Sequence, residues 1–435
     1  MKMTFPRNYL LYVLFILAFA GIKATAQEDV NDSQLRLNPN IGSDNTIVNV
    51  KVNHYPYINY KNNKIDLNGD DWRELSSKLR QSKENGNFTV VHIGDSHIQP
   101  DGNTGRVREL FQKKYGDAGR GLIIPFRMAG TNEPRDYVIK SEDSFVRARL
   151  LQMPWPTKMG FTGISLHPES YTFSITLSVK SPCGFFTILS SGDLKLQKVE
   201  SDGMDIKFVS EKVPNGIDVS LDADCTEMTL TMEGRDVNIF GFNLQNDNNG
   251  VLYHSIGNNG AAYSSYNSLP KFGESIANLR PDLVILALGT NEAFGKVNEA
   301  AFEAQIETTI KSIRSQSPDV KFLLVTPSEC QRSVYSTTYT GKGRRRRAKK
   351  VKSFQVNRNV KTIRDIIIKF GKKHNIPVYD FYEVAGGEGA SAKWLSDKLL
   401  NTDRIHRTWS GYEVEGELIY QALSDALERP RNVRK

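Results

Sequence analysis

From residue 88 onward, five short runs of uninterrupted apolar character recur along the chain: 88–93 (FTVVHI), 250–256 (GVLYHSI), 282–288 (DLVILAL), 321–326 (KFLLVT) and 376–381 (IPVYDF). A strand that is apolar at successive positions is buried on both faces, as in a parallel sheet covered from both sides. Segments of helical period lie between these runs. Residues 106–115 follow the first, 266–279 the second and 302–316 the third; 356–373 precede the fifth, and 411–427 come last. Strand alternating with helix predicts an α/β fold, a three-layer α/β/α sandwich around a five-stranded parallel sheet. Upstream, 70–79 predicts a short helix with Asp70 as its N-cap.

One interval breaks this rhythm. Between about 127 and 245 the helical period disappears. Short alternating runs replace it, at 171–179, 185–189, 206–209, 217–221, 228–232 and 237–244, punctuated by Gly, Pro, Asn and Asp. Period-two alternation with turn residues predicts an all-β sandwich. Because it falls between the first two strands of the α/β part, it reads as an inserted domain. The expected organisation is therefore 1–26 export signal, 27–87 a polar lead-in, loosely structured to about 65, with a short helix, 88–127 and 246–435 the discontinuous α/β domain, and 128–245 the inserted β-sandwich.

The export signal rests on Lys2 and Arg7, the apolar run 9–21 and the small-x-small cleavage site Ala24-Thr25-Ala26. The apolar run is short for a membrane span, so no span is expected in the mature chain. The signal carries three basic residues and no acidic one, so its removal takes the formal net charge from +8 to +5. The remaining excess sits in 341–352 (GKGRRRRAKKVK), eight Lys/Arg without an acid. A like-charge block reads as a solvated, mobile loop, with contact to an anionic envelope polymer as a second reading. Nucleic acid is not expected, since no aromatic residue interleaves the run. With 39% hydrophobic residues the chain builds a large core, and three cysteines cannot staple it. Cys183 and Cys225 either pair with each other or stay as buried thiols. No CxxC, HExxH or GxxxxGK[ST] pattern is present, so neither a metal nor a nucleotide cofactor is expected.

Four small motifs carry chemistry. Gly94-Asp95-Ser96-His97 follows the first strand, where a parallel sheet opens its ligand crevice. Its serine can face that crevice, and if a helix begins nearby its N–H groups face the developing negative charge. It is not a GxSxG elbow, because Ile98 stands at the second glycine position. Ile256-Gly257-Asn258-Asn259-Gly260-Ala261 follows the second strand and frees backbone N–H groups. Gly289-Thr290-Asn291-Glu292 follows the third, with an amide able to donate to an oxyanion. Asp403-Arg404-Ile405-His406 precedes the last helix and supplies a base with a carboxylate in reach of its Nδ1. Each motif alone is ordinary turn chemistry. As a set, in the order Ser…Asp…His and converging on one sheet edge, they point to an activated serine. His92 and His254 lie inside strands and read as core histidines, and His97 receives no catalytic role.

These residues resemble the SGNH/GDSL hydrolase superfamily over roughly 88–127 and 250–427. The resemblance implies a flavodoxin-like SGNH fold with Ser96 as nucleophile, His406 as base and Asp403 as its orienter. It implies an oxyanion hole of the Ser96 and Gly260 N–H groups and the Asn291 amide, with Gly257 the rival for the glycine. The stretch 94–127 is similar to the peptidoglycan O-acetylesterases of this superfamily. These also carry GDSH, a following aspartate, a Gly-x-Ala-Gly-x-Gly segment (here 116–121, GDAGRG) and a β insertion resembling a carbohydrate-binding module. Ile98-Gln99-Pro100 and the basic loop depart from that pattern. The implied activity is that of a serine esterase removing O-acetyl groups from an acetylated cell-envelope glycan, peptidoglycan first, in the periplasm or outside the cell. The same residues would also serve an O-acetyltransferase, a secreted esterase of plant polysaccharides or, with the site vestigial, a non-catalytic glycan-binding protein. A lipase is less well matched, for want of a long apolar lid segment.

Overall fold

The computed structural model describes residues 54–340 and 347–428. The expected export signal, residues 27–53 of the lead-in and residues 341–346 of the basic run lie outside the described residues.

Six strands form the main sheet: β1 (Ile65–Asp66), β2 (Phe88–Gly94), β3 (Val251–Gly257), β4 (Leu283–Ala287), β5 (Lys321–Val325) and β6 (Val378–Tyr379), in the spatial order β1-β6-β5-β4-β2-β3. β2 to β6 are mutually parallel, at the five places the apolar runs predict. β1 adds an antiparallel edge from the lead-in expected to be loose, pairing Ile65 with Tyr379. Two residues are too short to show a period. The buried Asn63 beside them is held by Leu418 O and the Tyr379 hydroxyl, so a polar stretch is tied to the core through its side chains.

Every residue of β2 and β3 is buried. Along β2 the side chains alternate between two apolar clusters: Val91 and Ile93 join one, Phe88 and Val90 the other. That alternation is why continuous apolar runs are needed here. From β2 the chain builds β3 on one side and β4, β5 and β6 on the other. The order therefore reverses at β2, which opens a crevice at the carboxyl ends of β2 and its neighbours.

The helices follow the predicted period with three differences. The segment 266–279 is two short helices, Tyr263–Asn267 and Phe272–Ala277. Pro270 lies between them and cannot donate the N–H that would continue the first. The first helix, Arg73–Gln81, starts after Trp72 without a side-chain cap. Asp70 instead accepts from Asp71 N and Trp72 Nε1 and pairs with Lys321 on β5. The third difference concerns the basic run. Residues 347–352 belong to a strand, Arg347–Val356, paired antiparallel with Gln331–Thr340. Like charges do not meet across it: Arg347, Lys349, Lys350 and Lys352 face Thr340, Thr338, Thr337 and Tyr335. Among the described residues no helix is long and apolar enough to cross a membrane, and no cluster of His, Cys, Asp or Glu is placed to hold a metal ion.

Between β2 and β3 lies an eight-stranded sheet of antiparallel pairs, dominated by two long strands, Thr172–Ser201 and Gly216–Gln245, with register shifts along them. Five of the six short runs read from the sequence are pieces of these; the sixth, 206–209, overlaps a separate strand, Phe208–Val213. Residues 229–233 are bonded on both edges, to 172–176 and to 195–200. A third apolar cluster, including Phe173, Ile175, Phe186, Leu230 and Phe242, fills this part. Cys183 and Cys225 face each other across the long strands as free, buried thiols, and burial pushes the Cys183 thiol up to about 11.

The GDAGRG segment joins the two sheets. Ala118 N donates to Val251 O at the start of β3, and Ala118 O accepts from Asn246 N at the end of the long strand. Gly119, at φ +117°, passes so close to the backbone of Gln245 that a Cβ would stand 2.5 Å from its Cα. Gly119→Ala should therefore lower stability by about 3 kcal/mol or more, combining the positive-φ and overpacking costs. The check is the thermal midpoint followed by circular dichroism.

Candidate active site

β2 delivers Asp95 and Ser96 to the carboxyl edge of the sheet, and the chain turns there rather than entering a helix. The Asp95 carbonyl accepts from Ile98 N and Gln99 N, and the helix Gly102–Tyr115 begins only at Gly102. The N–H groups around Ser96 are thus those of a turn, and the condition of a helix beginning there is not met.

Ser96, His406 and Asp403 form one hydrogen-bonded chain. His406 Nε2 lies 2.8 Å from Ser96 Oγ, and its Nδ1 lies 2.7 Å from Asp403 Oδ2. The other Asp403 oxygen accepts from the backbone N–H of Ile405 and of His406, at 2.9 and 3.0 Å. The carboxylate therefore fixes both the ring and the loop that carries it. Burial works to lower the His406 pKa. The Asp403 bond and charge, joined by the charge of Asp95, outweigh it and hold the imidazole above its ordinary value. For Asp403 burial works upward, and the His406 bond and charge pull the carboxyl below its usual range. Both shifts favour the ion pair that forms when the imidazole takes the serine proton.

The two other motifs flank this chain. Gly257 ends β3 against the nucleophile turn, where a Cβ would stand 2.2 Å from Gln99 N; packing alone requires glycine there. Gly260 is exposed at φ +82°, and among the described residues no acceptor takes its N–H or that of Ser96. Its neighbours are fixed: Asn259 N donates to Gln99 Oε1 at 2.7 Å, and Ala261 O accepts from Asn291 Nδ2 at 2.9 Å. The Asn291 amide also reaches Asp95 Oδ2 at 3.3 Å, so protein acceptors engage it on both sides. Asp95 is fully buried and accepts as well from His97 N at 2.9 Å. Burial, partly offset by that bond and by His406, raises its carboxyl to about 6.

Several supporting residues carry no signal in the motifs. Gln99, buried behind the nucleophile turn, also donates to Thr131 and Asn132, tying the glycine loop to the segment that leads into the antiparallel strands. The Tyr266 hydroxyl donates to Gly94 O at 2.7 Å and accepts from Asn258 Nδ2, bridging the ends of β2 and β3. The Tyr412 hydroxyl touches Ser96 O and His97 Nδ1, at 3.5 and 3.4 Å. Spacing in sequence does not reveal such roles, because each depends on a partner more than a hundred residues away or on a loop of no regular period. His92 and His254 are fully buried, with burial lowering both to about 3. Their Nδ1 atoms meet Tyr253 Oη and Leu122 N, as core histidines do.

Comparison with known proteins bears on the same part of the chain. Residues 232–414 match the family model described as the GDSL-like lipase/acylhydrolase family. The match takes in Gly260, Asn291, Asp403 and His406 and begins after Ser96, which the antiparallel strands separate from them in sequence. No curated protein matches the chain. Among solved structures, a peptidoglycan O-acetylesterase aligns over 84% of this chain and 98% of its own, with a TM-score of 0.64 and 20% identity. A lipase/acylhydrolase from Enterococcus faecalis aligns over 42% of this chain and 80% of its own, at 24% identity and a TM-score of 0.29. A family two carbohydrate esterase from Clostridium thermocellum covers 66% and 99%, at 9% identity and a TM-score of 0.29. The fold is that of the SGNH/GDSL hydrolases, and the chain carries a GDSL-like lipase/acylhydrolase domain, the domain of a carboxylic ester hydrolase.

Proposed function

We propose that this protein is a serine esterase that removes O-acetyl groups from a cell-envelope glycan, peptidoglycan above all, after export to the periplasm or beyond. The observation that carries the chemistry is the Ser96–His406–Asp403 chain, with hydrogen-bonding distances of 2.8 and 2.7 Å at the open edge of a parallel sheet. The likeness in fold to a peptidoglycan O-acetylesterase over most of both chains supports the choice of polymer. In the same reading the α/β part is a three-layer sandwich, and residues 128–245 are an inserted β-sandwich domain that helps to hold the glycan.

The steps follow from the geometry. His406 Nε2 takes the Ser96 proton as Oγ attacks the acetyl carbonyl, and Asp403 stabilises the imidazolium. The tetrahedral oxyanion is met by the N–H groups of Ser96 and Gly260, neither of which has another acceptor to surrender among the described residues. Asn291 is the third donor. It reaches the oxyanion by loosening its longer bond, that to Asp95, while Ala261 keeps the amide in place. The imidazolium then protonates the departing sugar oxygen, leaving an acetyl-Ser96 ester. Water, deprotonated by His406, attacks that ester and releases acetate, restoring the serine. Each oxyanion donor is worth about 10²–10³ in rate.

Two outcomes test this reading. Mature protein incubated with O-acetylated peptidoglycan should release acetate, and Ser96→Ala should reduce the rate by about 10⁴-fold or more. Release from acetylated xylan alone would overturn the polymer, and undiminished release by Ser96→Ala would overturn the chemistry. The second outcome concerns pH. The base must be neutral to act, so kcat/KM rises with pH through the free-enzyme His406 pKa, which stands above 6.5. Asp403→Asn removes the charge, and the charge-assisted bond, that do most to raise it, leaving burial, which lowers it, opposed only by the smaller effect of Asp95. The acid limb should therefore move to lower pH while the plateau falls by about 10³–10⁴. A pH profile with a soluble acetyl ester measures both.

A further inference from the structure

The hairpin of Gln331–Thr340 and Arg347–Val356 packs little of itself against the rest of the molecule, and most of its residues are exposed. Two-stranded hairpins of this kind are marginal alone, so what its faces present matters. Directly opposed residues share a face and alternate along each strand. Tyr335 opposes Lys352, Thr337 opposes Lys350, Tyr339 opposes Ala348, and Ser333 opposes Phe354. One face thus carries three aromatic rings and two lysines. Tyr335 and Tyr339 are 67% and 57% exposed, so much of each ring is open to a partner. The other face adds Arg332, Arg347 and Lys349. No acidic residue occurs anywhere in 331–356.

The root of the hairpin is bonded to the catalytic loop. Gln331 N donates to Arg404 O at 3.0 Å, and Arg404 Nη1 donates to Gln331 Oε1 at 2.8 Å. The Arg404 guanidinium lies over the Phe354 ring, 4.1 Å from its centroid, and Lys352 approaches the same ring at 5.0 Å. Arg404 directly follows Asp403 and stands two residues before His406. The aromatic and cationic row therefore begins beside the Ser96 site and runs outward from it.

We propose that this face is a docking surface for a carboxylate-bearing glycan strand, which it holds so that an acetylated sugar reaches Ser96; the proposal rests on the reading of that site as a glycan O-acetylesterase. Sugar rings present apolar C–H faces that stack on exposed tyrosines, and carboxylates along the strand meet Lys350, Lys352 and their neighbours. Charge complementarity, the exposed tyrosines and contact with the catalytic loop favour an anionic glycan over a nucleic acid, which has no carboxylic ester, and over a membrane, whose acyl esters lie beneath its headgroups.

The test uses the full mature protein and two variants, Tyr335→Ala/Tyr339→Ala and Lys350→Glu/Lys352→Glu. Binding to insoluble O-acetylated peptidoglycan is measured by co-sedimentation at low and high salt, apart from acetate release. Hydrolysis of p-nitrophenyl acetate, which is too small to reach the hairpin, reports the catalytic loop. The expected result is binding weakened about tenfold or more in both variants, wild-type binding that falls with salt, a raised KM on peptidoglycan and unchanged turnover of p-nitrophenyl acetate. Peptidoglycan binding and KM equal to wild type in both variants would overturn the proposal. So would an equal loss on p-nitrophenyl acetate, which would make the hairpin a support for the loop. Loss of binding to anionic phospholipid vesicles or duplex DNA, with peptidoglycan binding intact, would overturn it in favour of those partners. If the wild type sediments with peptidoglycan through the hairpin yet releases no acetate, the esterase reading fails while the docking surface stands.

Discussion

Everything at the site depends on one pairing, that of β2 with β3. The two strands are in register from Phe88–Val251 to Gly94–Gly257, yet the whole antiparallel sheet lies between them in sequence. Closing so long an excursion costs chain entropy that only a native-like return can offset. The return is fixed at both ends. Ala118 is bonded to β3 and to the end of the long strand at once. Around it Asp101 accepts from Arg108 and Arg120, and Arg120 pairs also with Asp136, a nearly buried cluster linking the helix after the nucleophile to the first antiparallel strands. Removing Asp101 would take the 2.6 Å partner from both Arg108 and Arg120 and leave two guanidinium groups sharing Asp136 in a poorly solvated place, a far larger loss than that of a surface ion pair. With β3 held in register beside β2, the glycine loop after β3 lies against the turn after β2, and Gln99 closes the gap with a single side chain.

The site that results is largely satisfied before any substrate arrives. Asn291 has acceptors for its amide, Asp403 accepts from a ring nitrogen and two backbone N–H groups, and Asp95 accepts from His97 N and Asn291. Of the oxyanion donors, the N–H groups of Ser96 and Gly260 are left open among the described residues. Donors fixed in place need no reorganisation as charge develops, and this is the main way such sites lower a barrier. Gly260 shows how the fold creates an open donor. It sits at positive φ with no acceptor for its N–H among the described residues, while the residues on either side are pinned by Gln99 and Asn291. Gly257 has the opposite function, since packing against Gln99 leaves no room for a Cβ.

Much of this was legible in the sequence because it follows from short-range rules. The parallel strands announced themselves as continuous apolar runs, and their ends lie within two residues of the expected places. The motif residues could be read because strand ends in a doubly covered parallel sheet face a common crevice. What could not be read depended on long-range partners or on cancelling signals. The lead-in looked loose because Asn63 and Asp70 are polar, although both are tied to strands of the main sheet. The two long antiparallel strands looked like many short ones because bulges interrupt their alternation. The basic run looked like a loop because repulsion among like charges is the dominant local term, but its partner strand (QRSVYSTTYT) supplies an uncharged residue opposite each described cation. Neither strand has an apolar face, so no period marks the pair as a hairpin.

That hairpin also bears on how the catalytic loop keeps its shape. Arg404 has φ +63°, a left-handed conformation that costs a non-glycine residue about 1–3 kcal/mol unless the surroundings impose it. They do so from two directions. Asn401 N donates to His406 O, Asn401 O accepts from Arg404 N, and Asn401 Nδ2 holds Arg407 O, so the loop is closed on itself. From outside, Gln331 holds both the carbonyl and the guanidinium of Arg404, and Arg407 is anchored in the core over the Trp394 ring beside Glu415. The turn lets Asp403 bond the backbone N–H and the ring of His406 together, which an extended Asp-x-x-His segment would not allow. The strain at Arg404 is thus the local cost of orienting the imidazole toward Ser96, and the residues that offset it come from the hairpin root and the core, not from the motif.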